Sequence, residues 1–293
     1  MAEVNEMIGG YTLRSLLQTG AFSQVFEVVE PKSHLHYAMK ILLPEHADNS
    51  EQRKVLFHEA RVGKEMRHPN VINIHKVSQD DKNPHFIMEF FPSGSLRKRL
   101  MSKDPRDKEF IKTYAKKIFK EMATGLAYMN SSGYVHRDVK PDNVLVNAIG
   151  QTKIIDFAIT RKEPTGFFEK LFAPGRVRQG THSFMSPEQI RNEKLDGRAD
   201  IYSYGITIFE LLCGRPPFRG STQDDLLRKH LTEKPVPLTS YNDDVTDEFS
   251  AFVLKLIAKK KEDRPATFHE VLMQLKKLRV LKSVPDYAEE EQH

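Results

Sequence analysis

The sequence predicts an α+β fold made of two lobes, a small β-rich lobe followed by a larger, mostly helical one. Two patterns lead to this prediction. Up to about residue 90 the chain contains short β-type runs, whereas from residue 95 onward apolar residues recur mostly at helical spacing. The length of 293 residues allows one large domain or two lobes of ordinary size. We expect a ligand-binding cleft where the lobes join.

The change of pattern also sets the predicted boundaries. The small lobe takes residues 11–90, a turn-rich hinge takes 91–95, the large lobe takes 96–280 and a tail takes 281–293. One helix, from Ser50 to Met66, interrupts the predicted strands of the small lobe, which are Tyr11–Gln18, Gln24–Val29, His34–Leu43, Val71–Gln79 and His85–Phe90.

The large lobe is predicted to be built on one long helix. Apolar residues three and four positions apart indicate it over residues 111–129. Shorter helices are predicted at Ala199–Cys213, Thr222–Leu231, Asp247–Ala258 and Thr267–Leu278.

The composition excludes several classes of protein. With 39% hydrophobic and 29% charged residues, the chain is unlike disordered or collagen-like sequences. Its one cysteine, Cys213, excludes an internal disulfide and a cysteine zinc site, and we expect it to be a small buried apolar residue. The N-terminus lacks the pattern of a secretory signal, and no apolar run is long enough to span a membrane. We therefore expect a cytoplasmic protein with no membrane segment in this chain.

The net charge of +5 has two interpretations. Basic clusters such as 97–99 (RKR) and 259–261 (KKK) would suit nucleic acid or acidic protein partners. They would also suit a solvated surface. Because no aromatic residues are interleaved with a basic stripe, we favour the solvated surface and expect no nucleic-acid partner.

Residues 136–143 have the sequence HRDVKPDN. They resemble the catalytic loop of protein kinases, which has the pattern His-Arg-Asp-x-Lys-x-x-Asn. The resemblance implies that Asp138 accepts the proton of the substrate hydroxyl and that Asn143 binds a magnesium ion. Lys140 would supply positive charge against the moving γ-phosphoryl group. Asp and Asn are also common turn formers, but the match at every fixed position favours the catalytic interpretation.

A second motif follows at residues 153–158, with the sequence KIIDFA. It resembles the Asp-Phe-Gly motif of the same family, with Ala158 in place of glycine. The resemblance implies that Asp156 binds magnesium and that Phe157 packs beneath the helix of the small lobe. Alanine resists positive φ, so we expect Ala158 to restrict flipping of this segment between two conformations.

The predicted helix of the small lobe carries a carboxylate on its apolar face. Val55, Val62 and Met66 share that face, and Glu59 falls in its middle. A buried carboxylate requires a cationic partner, and the candidate is Lys40 on a predicted strand. Kinases have such a pair, in which the lysine binds the α- and β-phosphates and the glutamate holds it in place. The alternative is that Glu59 faces solvent, since kinases can swing this helix outward.

The nucleotide-binding residues are assigned by the same resemblance. Residues 17–25, LQTGAFSQV, align with the glycine-rich loop of kinases but keep only its middle glycine, because Gln18 and Ser23 replace the other two. Backbone N–H groups make the phosphate contacts, so these side chains are tolerable. The implied binding residues, with Met88 as gatekeeper and residues 89–91 as the hinge, are Leu17, Gly20, Val25, Ala38, Lys40, Met88, Glu89, Phe91 and Leu145.

Later motifs resemble the activation segment and the helix that follows it. Arg264 is the expected buried partner of Glu188, and Tyr202 stands where many kinases have tryptophan. Among four candidate phosphorylation sites, we favour Thr165 over Thr160, Thr181 and Ser183. A helical apolar face in the same segment is either a docking or dimer surface or packs on the domain itself; it consists of Phe167, Phe168, Leu171 and Phe172.

Together, residues 11–280 resemble eukaryotic-like (Hanks-type) serine/threonine protein kinases, and the later motifs are similar to the bacterial branch. The resemblance implies the bilobal protein-kinase fold, ATP and Mg²⁺ as cofactors, and phosphate transfer to Ser or Thr of protein substrates, with autophosphorylation of the activation segment. Because Ala158, Gln18 and Ser23 depart from the pattern, the alternative is a pseudokinase scaffold that binds nucleotide. A kinase acting on small molecules or nucleic acids is less favoured, because the activation segment matches protein kinases.

Overall fold

The structure is a computed structural model that describes residues 3–80, 82–92, 94–163 and 181–285. The described residues divide into two compact units. The first unit is drawn from residues 1–92 and 155–160, and the second from residues 93–154 and 161–293.

The first unit is built on one antiparallel sheet of six strands. These are β1 (Met7–Ile8), β2 (Tyr11–Thr19), β3 (Ser23–Val29), β4 (His36–Leu42), β5 (Ile74–Ser78) and β6 (His85–Glu89). They pair in the order β1-β2-β3-β4-β6-β5. Helix α1 (Ser50–Glu65) is capped at its N-terminus by Asn49, whose side chain accepts hydrogen bonds from the N–H groups of Glu51 and Gln52.

One face of this sheet forms the core of the first unit. Because side chains alternate along a strand, Lys40 and the apolar residues that share its side of the sheet lie on the opposite face. The core face is closed by the hairpin of β1 and β2, whose turn places Gly9 and Gly10 at φ of +59° and +88°, a region that glycine enters readily. The buried cluster contains Ile8, Tyr11, Leu13, Phe26, Val28, Met39, Ile41 and Ile87.

The second unit is mostly helical. Its helices are α2 (Leu96–Met101), α3 (Pro105–Ser131), α4 (Pro187–Ile190), α5 (Gly197–Cys213), α6 (Gln223–Thr232), α7 (Asp247–Leu256) and α8 (Phe268–Lys277). Its short strands are β7 (Gly94–Ser95), β8 (Tyr134–Val135), β9 (Val144–Val146), β10 (Thr152–Ile154) and β11 (Arg161–Lys162). Every residue of α5 from Ala199 to Leu212 is buried, as is typical of a helix at the centre of a domain.

The predicted fold class is confirmed, and each predicted strand and helix is present with altered ends. The long helix α3 begins at Pro105, six residues before the predicted start at residue 111. The prediction missed the first turn because that turn is charged and carries no apolar pattern. Asp104 caps it through the N–H of Arg106. Strands β1 and β7–β11 and helices α2 and α4 were not predicted, since they are too short to show a period.

The prediction that the basic clusters are solvated surface is wrong for three side chains. Arg97 pairs with Asp142 and Glu210, and Arg99 pairs with Asp107. Lys259 lies over a phenylalanine ring, as described below. No helix in the described part of the chain combines the length and the apolarity that crossing a bilayer requires.

Candidate active site

The predicted pair of Lys40 and Glu59 is present in the first unit. Lys40 Nζ lies 2.8 Å from Glu59 Oε1 and 2.6 Å from Oε2. The Lys40 side chain is 16% exposed and that of Glu59 is 6% exposed. The prediction that Glu59 turns inward from α1 is therefore confirmed, and the alternative of a solvent-facing Glu59 is wrong for this structure.

The strand register places Lys40 on one sheet face with three of the predicted nucleotide-binding residues. Val25 lies opposite Lys40, and Ala38 lies opposite Met88. Residues opposite each other in antiparallel strands project to the same side, and Ala38 and Lys40 share a side by alternation. This face is the one not used by the core cluster, so it presents an apolar surface beside an ammonium group.

The predicted glycine-rich loop is the connection between β2 and β3. Gly20 donates its N–H to the carbonyl of Ser23 at 2.8 Å, which closes a tight turn. Leu17 lies at an irregularity of the β2–β3 register and is exposed. The turn therefore keeps a compact backbone although only one of the three glycines is retained.

The predicted hinge residues lie at the end of strand β6 and directly after it. Glu89 is its last residue, and its backbone N–H donates to the carbonyl of Asn73 at 2.9 Å. Its side-chain Oε2 accepts the N–H of Asn73 at 3.1 Å, so both groups fix the end of β6 against the segment before β5. Phe91, two residues on, is half-buried.

Residues 155–160 belong to the first unit and contact α1. Phe157 is fully buried, and a Cβ atom added to Gly63 of α1 would lie 3.0 Å from its ring, so the ring packs directly against the helix backbone. His58 Nε2 lies 2.8 Å from the carbonyl oxygen of Thr160. The expected packing of Phe157 beneath the helix is therefore confirmed.

The left-handed residue of this segment is Asp156, not Ala158. Asp156 has a φ of +70°, and its Oδ1 accepts the N–H of Ala158 at 3.3 Å. Asp enters this region more easily than most residues, because its short side chain bonds to nearby backbone. Ala158 does not require positive φ in this conformation, so replacing glycine here introduces no strain.

Three predicted residues of the second unit form one cluster. Lys140 Nζ lies 2.8 Å from each carboxylate oxygen of Asp138. Asn143 Nδ2 donates to Asp138 Oδ2 at 2.9 Å and to its backbone carbonyl at 2.8 Å. Lys140 and Asn143 are buried while Asp138 is half-buried, so the carboxylate is held from behind and keeps an accessible side.

The loop before this cluster is held by Asp200, which lies in the buried part of helix α5. Its carboxylate accepts the N–H groups of His136 and Arg137, each at 2.8 Å, and the amide of Asn130 at 3.1 Å. Burial raises the pKa of Asp200, while these hydrogen bonds oppose the rise. They fix Arg137 at a φ of +73°. Sequence reasoning missed this role, although a carboxylate inside an apolar helix was a usable signal.

Leu145 belongs to strand β9 of the second unit, two residues after Asn143. It pairs with Lys153 of β10 and with Ser95 of β7, and its side chain is half-buried.

Comparisons with known proteins identify the family of the chain. The protein kinase domain family matches residues 11–275. This chain belongs to the protein kinase family. It is similar to the serine/threonine-protein kinase PknB of Mycobacterium leprae, with 28% identity over 89% of this chain and 42% of that protein. It is 30% identical to PknB of Mycolicibacterium smegmatis over 89% of this chain and 41% of that protein.

The chain spans about two fifths of the length of these relatives. A probable serine/threonine-protein kinase of Clostridium acetobutylicum matches similarly, with 27% identity over 90% of this chain and 39% of that protein. The predicted resemblance to Hanks-type serine/threonine protein kinases of the bacterial branch is thus confirmed.

The predicted structural ion pair of the kinase domain is also present. Arg264 binds Glu188 through two hydrogen bonds of 2.7 and 2.9 Å, and both side chains are buried. Tyr202, at the position of the tryptophan, is fully buried with its ring 4.9 Å from the Arg264 guanidinium carbon. Its hydroxyl lies 2.9 Å from Nδ1 of His230 in α6.

Each of the two residues predicted to bind magnesium carries an oxygen donor suited to that ion. Asn143 uses Nδ2 for both of its hydrogen bonds to Asp138, which leaves the amide oxygen as a ligand atom. An amide oxygen is one of the hard oxygen donors that Mg²⁺ prefers, and in the first unit the carboxylate of Asp156 is a donor of the same kind.

The candidate phosphorylation sites differ in accessibility. Thr160 is fully buried, so it is not open to modification in this conformation. Ser183 is half-buried. Thr165, the side chain of Thr181 and the apolar face at 167–172 lie outside the described residues.

Proposed function

We propose that this chain transfers the γ-phosphoryl group of ATP to serine and threonine hydroxyls of protein acceptors. The observation that carries the proposal is the cluster of Asp138, Lys140 and Asn143. It joins a half-buried carboxylate to a cation and an amide within one rigid loop. Such an arrangement positions an acceptor hydroxyl and stabilises charge in phosphoryl transfer.

Asp138 is proposed to receive the proton. One oxygen of its carboxylate accepts the proton of the acceptor hydroxyl while the hydroxyl oxygen bonds to the γ-phosphorus and the bond from that phosphorus to ADP breaks. When bound, Mg-ATP would supply the γ-phosphoryl group, with ADP as the leaving group. Lys140, which contacts both carboxylate oxygens, keeps the carboxylate in place and offsets negative charge that develops beside it.

Lys40 is proposed to bind the α- and β-phosphates of the nucleotide. Glu59 holds the ammonium through both carboxylate oxygens, which restricts its rotamers before a ligand binds. Val25, Ala38 and Met88 on the same sheet face are proposed to contact the adenine ring, with backbone groups of 89–91 as its hydrogen-bonding partners.

The magnesium ligands are proposed to be the Asn143 amide oxygen and the Asp156 carboxylate. Leu17, Gly20 and Leu145 are proposed to complete the nucleotide site, and residues 91–95 to connect the two kinase lobes. Autophosphorylation at Thr165 and dimerisation through the apolar face at 167–172 are proposals that rest on the sequence resemblance.

The test is transfer of radiolabel from ATP to a generic protein acceptor, with Mg²⁺ and then with excess chelator. We expect label on serine and threonine, found by phosphoamino-acid analysis, and its loss when the metal is chelated. Nucleotide-induced thermal stabilisation without any label would contradict the proposal and support the pseudokinase scaffold. Label on an aminoglycoside-like small molecule in preference to protein would support a kinase that acts on small molecules.

A further inference from the structure

Helix α3 carries a row of lysines on one face. Lys108, Lys112 and Lys116 are spaced four residues apart, so their side chains lie one above another along the helix, and Lys117 lies beside the last of them. Lys108 and Lys117 are exposed, whereas Lys112 and Lys116 are half-buried. The row therefore borders the side of α3 that packs on the domain and reaches solvent at both ends.

The segment that follows helix α8 lies along this row. Lys116 Nζ is 3.4 Å from the carbonyl oxygen of Lys276, at the end of α8. One turn earlier on α3, Lys112 Nζ is 3.1 Å from Asp244 Oδ2, and the same oxygen accepts the hydroxyl of Ser283 at 2.5 Å. These contacts hold the end of α8 and the residues after it beside the lysine row.

The two segments form one strongly positive surface. Residues 271–285 contain four basic residues and no acidic one, and residues 108–117 contain four lysines and one acidic residue, Glu109. We call the basic residues of 108–117 and 276–282 the basic face. With the adjoining Asp243 and Asp244, it has eight basic residues against three acidic ones. This excess equals the net charge of +5 of the whole chain, so the other charged residues balance.

The charge on the basic face is mostly that of lysine ammonium groups. The Arg279 guanidinium donates to the carbonyls of Leu281 and Val284, which directs it toward its own segment. An ammonium group is a point charge without a fixed hydrogen-bonding plane, and lysine is depleted in interfaces between proteins. Such groups suit a layer of mobile anions better than one rigid protein partner.

Two further features indicate which anionic layer fits. Residues 271–285 contain no aromatic side chain on which a nucleic-acid base could stack. Met273 lies one turn before Lys276 and Lys277 on α8 and is 51% exposed. An exposed apolar side chain among lysines is typical of helices that rest at the boundary between lipid headgroups and acyl chains.

We propose that the basic face docks the kinase domain on a bilayer surface that carries anionic lipid headgroups. This inference goes beyond phosphoryl transfer and uses none of the residues proposed for catalysis or nucleotide binding. The lysines bind headgroup phosphates without selecting one headgroup, and Met273 inserts among them. Binding of this kind is weakened by salt, because the attraction is electrostatic and the charges are exposed.

The test is co-sedimentation of the full chain with vesicles of two compositions. One is phosphatidylcholine alone, and the other is phosphatidylcholine with about one third phosphatidylglycerol. We expect the chain to bind only the anionic vesicles and to be released as salt is raised. The double variant Lys276→Ala/Lys277→Ala should lower the partition coefficient about 30-fold, a difference of about 2 kcal/mol.

The matched control is Lys234→Ala/Lys260→Ala, which removes two exposed lysines of the same unit and changes the net charge equally. Both residues follow the C-terminal ends of α6 and α7, which meet where Lys259 Nζ donates to the carbonyl of His230. Asp244, which adjoins the basic face, precedes the opposite end of α7. We expect this control to bind vesicles as the native chain does.

A second pair, Lys108→Ala/Lys117→Ala, tests the other half of the basic face and should also weaken binding. Failure of the native chain to bind anionic vesicles, equal losses in the control, or tighter binding to duplex RNA than to vesicles would overturn the proposal. Phosphate transfer to a soluble peptide should be equal in the native chain and all three double variants. Absence of transfer by the native chain would contradict the kinase function alone.

Discussion

Two ion pairs, one in each unit, have the same chemistry and different surroundings. Lys40 and Glu59 join a strand to helix α1 in the first unit, and the lysine side chain is 16% exposed. Arg264 and Glu188 lie in the second unit, with side chains 0% and 3% exposed. Arg264 also donates to the backbone carbonyls of Ala258 and Arg198, both at 2.8 Å.

The surroundings separate a pair that can serve a ligand from one that holds the fold. Arg264 uses its donors on groups of its own unit and lies against the ring of Tyr202, so a phosphate would find no accessible face. Lys40 is a point charge at a partly open position on a sheet face, beside apolar side chains. Burial and hydrogen bonding, rather than the presence of an ion pair, thus indicate which cation is available for catalysis.

The largest effect on stability is expected from Arg264→Met. It leaves the Glu188 carboxylate buried without its cation, which should lower the free energy of unfolding by about 3–5 kcal/mol. Urea denaturation at neutral pH measures this. Arg191→Met is the control, because Arg191 and Glu193 are 4.0 Å apart and exposed, and it should change stability by less than about 0.5 kcal/mol. Similar losses of stability in the two variants would contradict the distinction between a buried and an exposed ion pair.

Lys40→Met should affect activity more than stability, which is the opposite of what we expect for Arg264→Met. Loss of the proposed phosphate contact should lower kcat/KM for ATP by about 10²–10³-fold. Its stability loss should be smaller than that of Arg264→Met, because Glu59 lies on a surface helix and can turn toward water. Lys54→Met is the control, since Lys54 forms only an exposed pair with Glu51. Full activity in Lys40→Met would show that this pair, too, is structural.

A smaller effect on stability, one that depends on pH, is expected from Lys259, which lies near the pair of Arg264 and Glu188. Lys259 lies 3.8 Å from the ring centre of Phe218 and donates to the carbonyl of His230. Burial, with Arg264 nearby and Glu233 opposing, lowers the pKa of Lys259 from 10.5 to about 8. Between these values the unfolded chain holds a proton that the folded chain has lost, so this group makes stability rise with pH.

Lys259→Met should remove that contribution. Melting temperatures measured from pH 8 to 10 should increase less, or decrease more, with pH in the variant than in the native chain. The exposed Lys260→Met serves as the control and should leave the profile unchanged. Parallel profiles for Lys259→Met and the native chain would contradict the account of a desolvated ammonium.

The sequence predicts both ion pairs because each has a pattern that can be recognised without the fold. Glu59 interrupts an apolar helix face, and Glu188 and Arg264 belong to motifs of the family. The supporting bonds of Asp200 and the bridge of Arg97 were missed. They join residues more than forty positions apart, and Arg97 stands in a basic cluster that resembles solvated surface.

The prediction for Cys213 was also inexact, because only the local apolar run was considered. The thiol is half-buried at the end of α5, and burial raises its pKa to about 12. Whether a residue at a helix end is covered depends on the loop that returns over it, here the segment around Leu238, which local pattern does not reveal.

The most direct test of the central claim is phosphate transfer by Asp138→Asn with Mg-ATP in excess, with nucleotide binding followed on the same sample. We expect binding close to that of the native chain and transfer lowered by about 10²–10⁴-fold, because the proton acceptor is lost while the residues proposed to bind nucleotide are unchanged. Asp263→Asn, which changes an exposed carboxylate of the same unit, should transfer normally. Native rates in Asp138→Asn would contradict the assignment of this loop as the catalytic site.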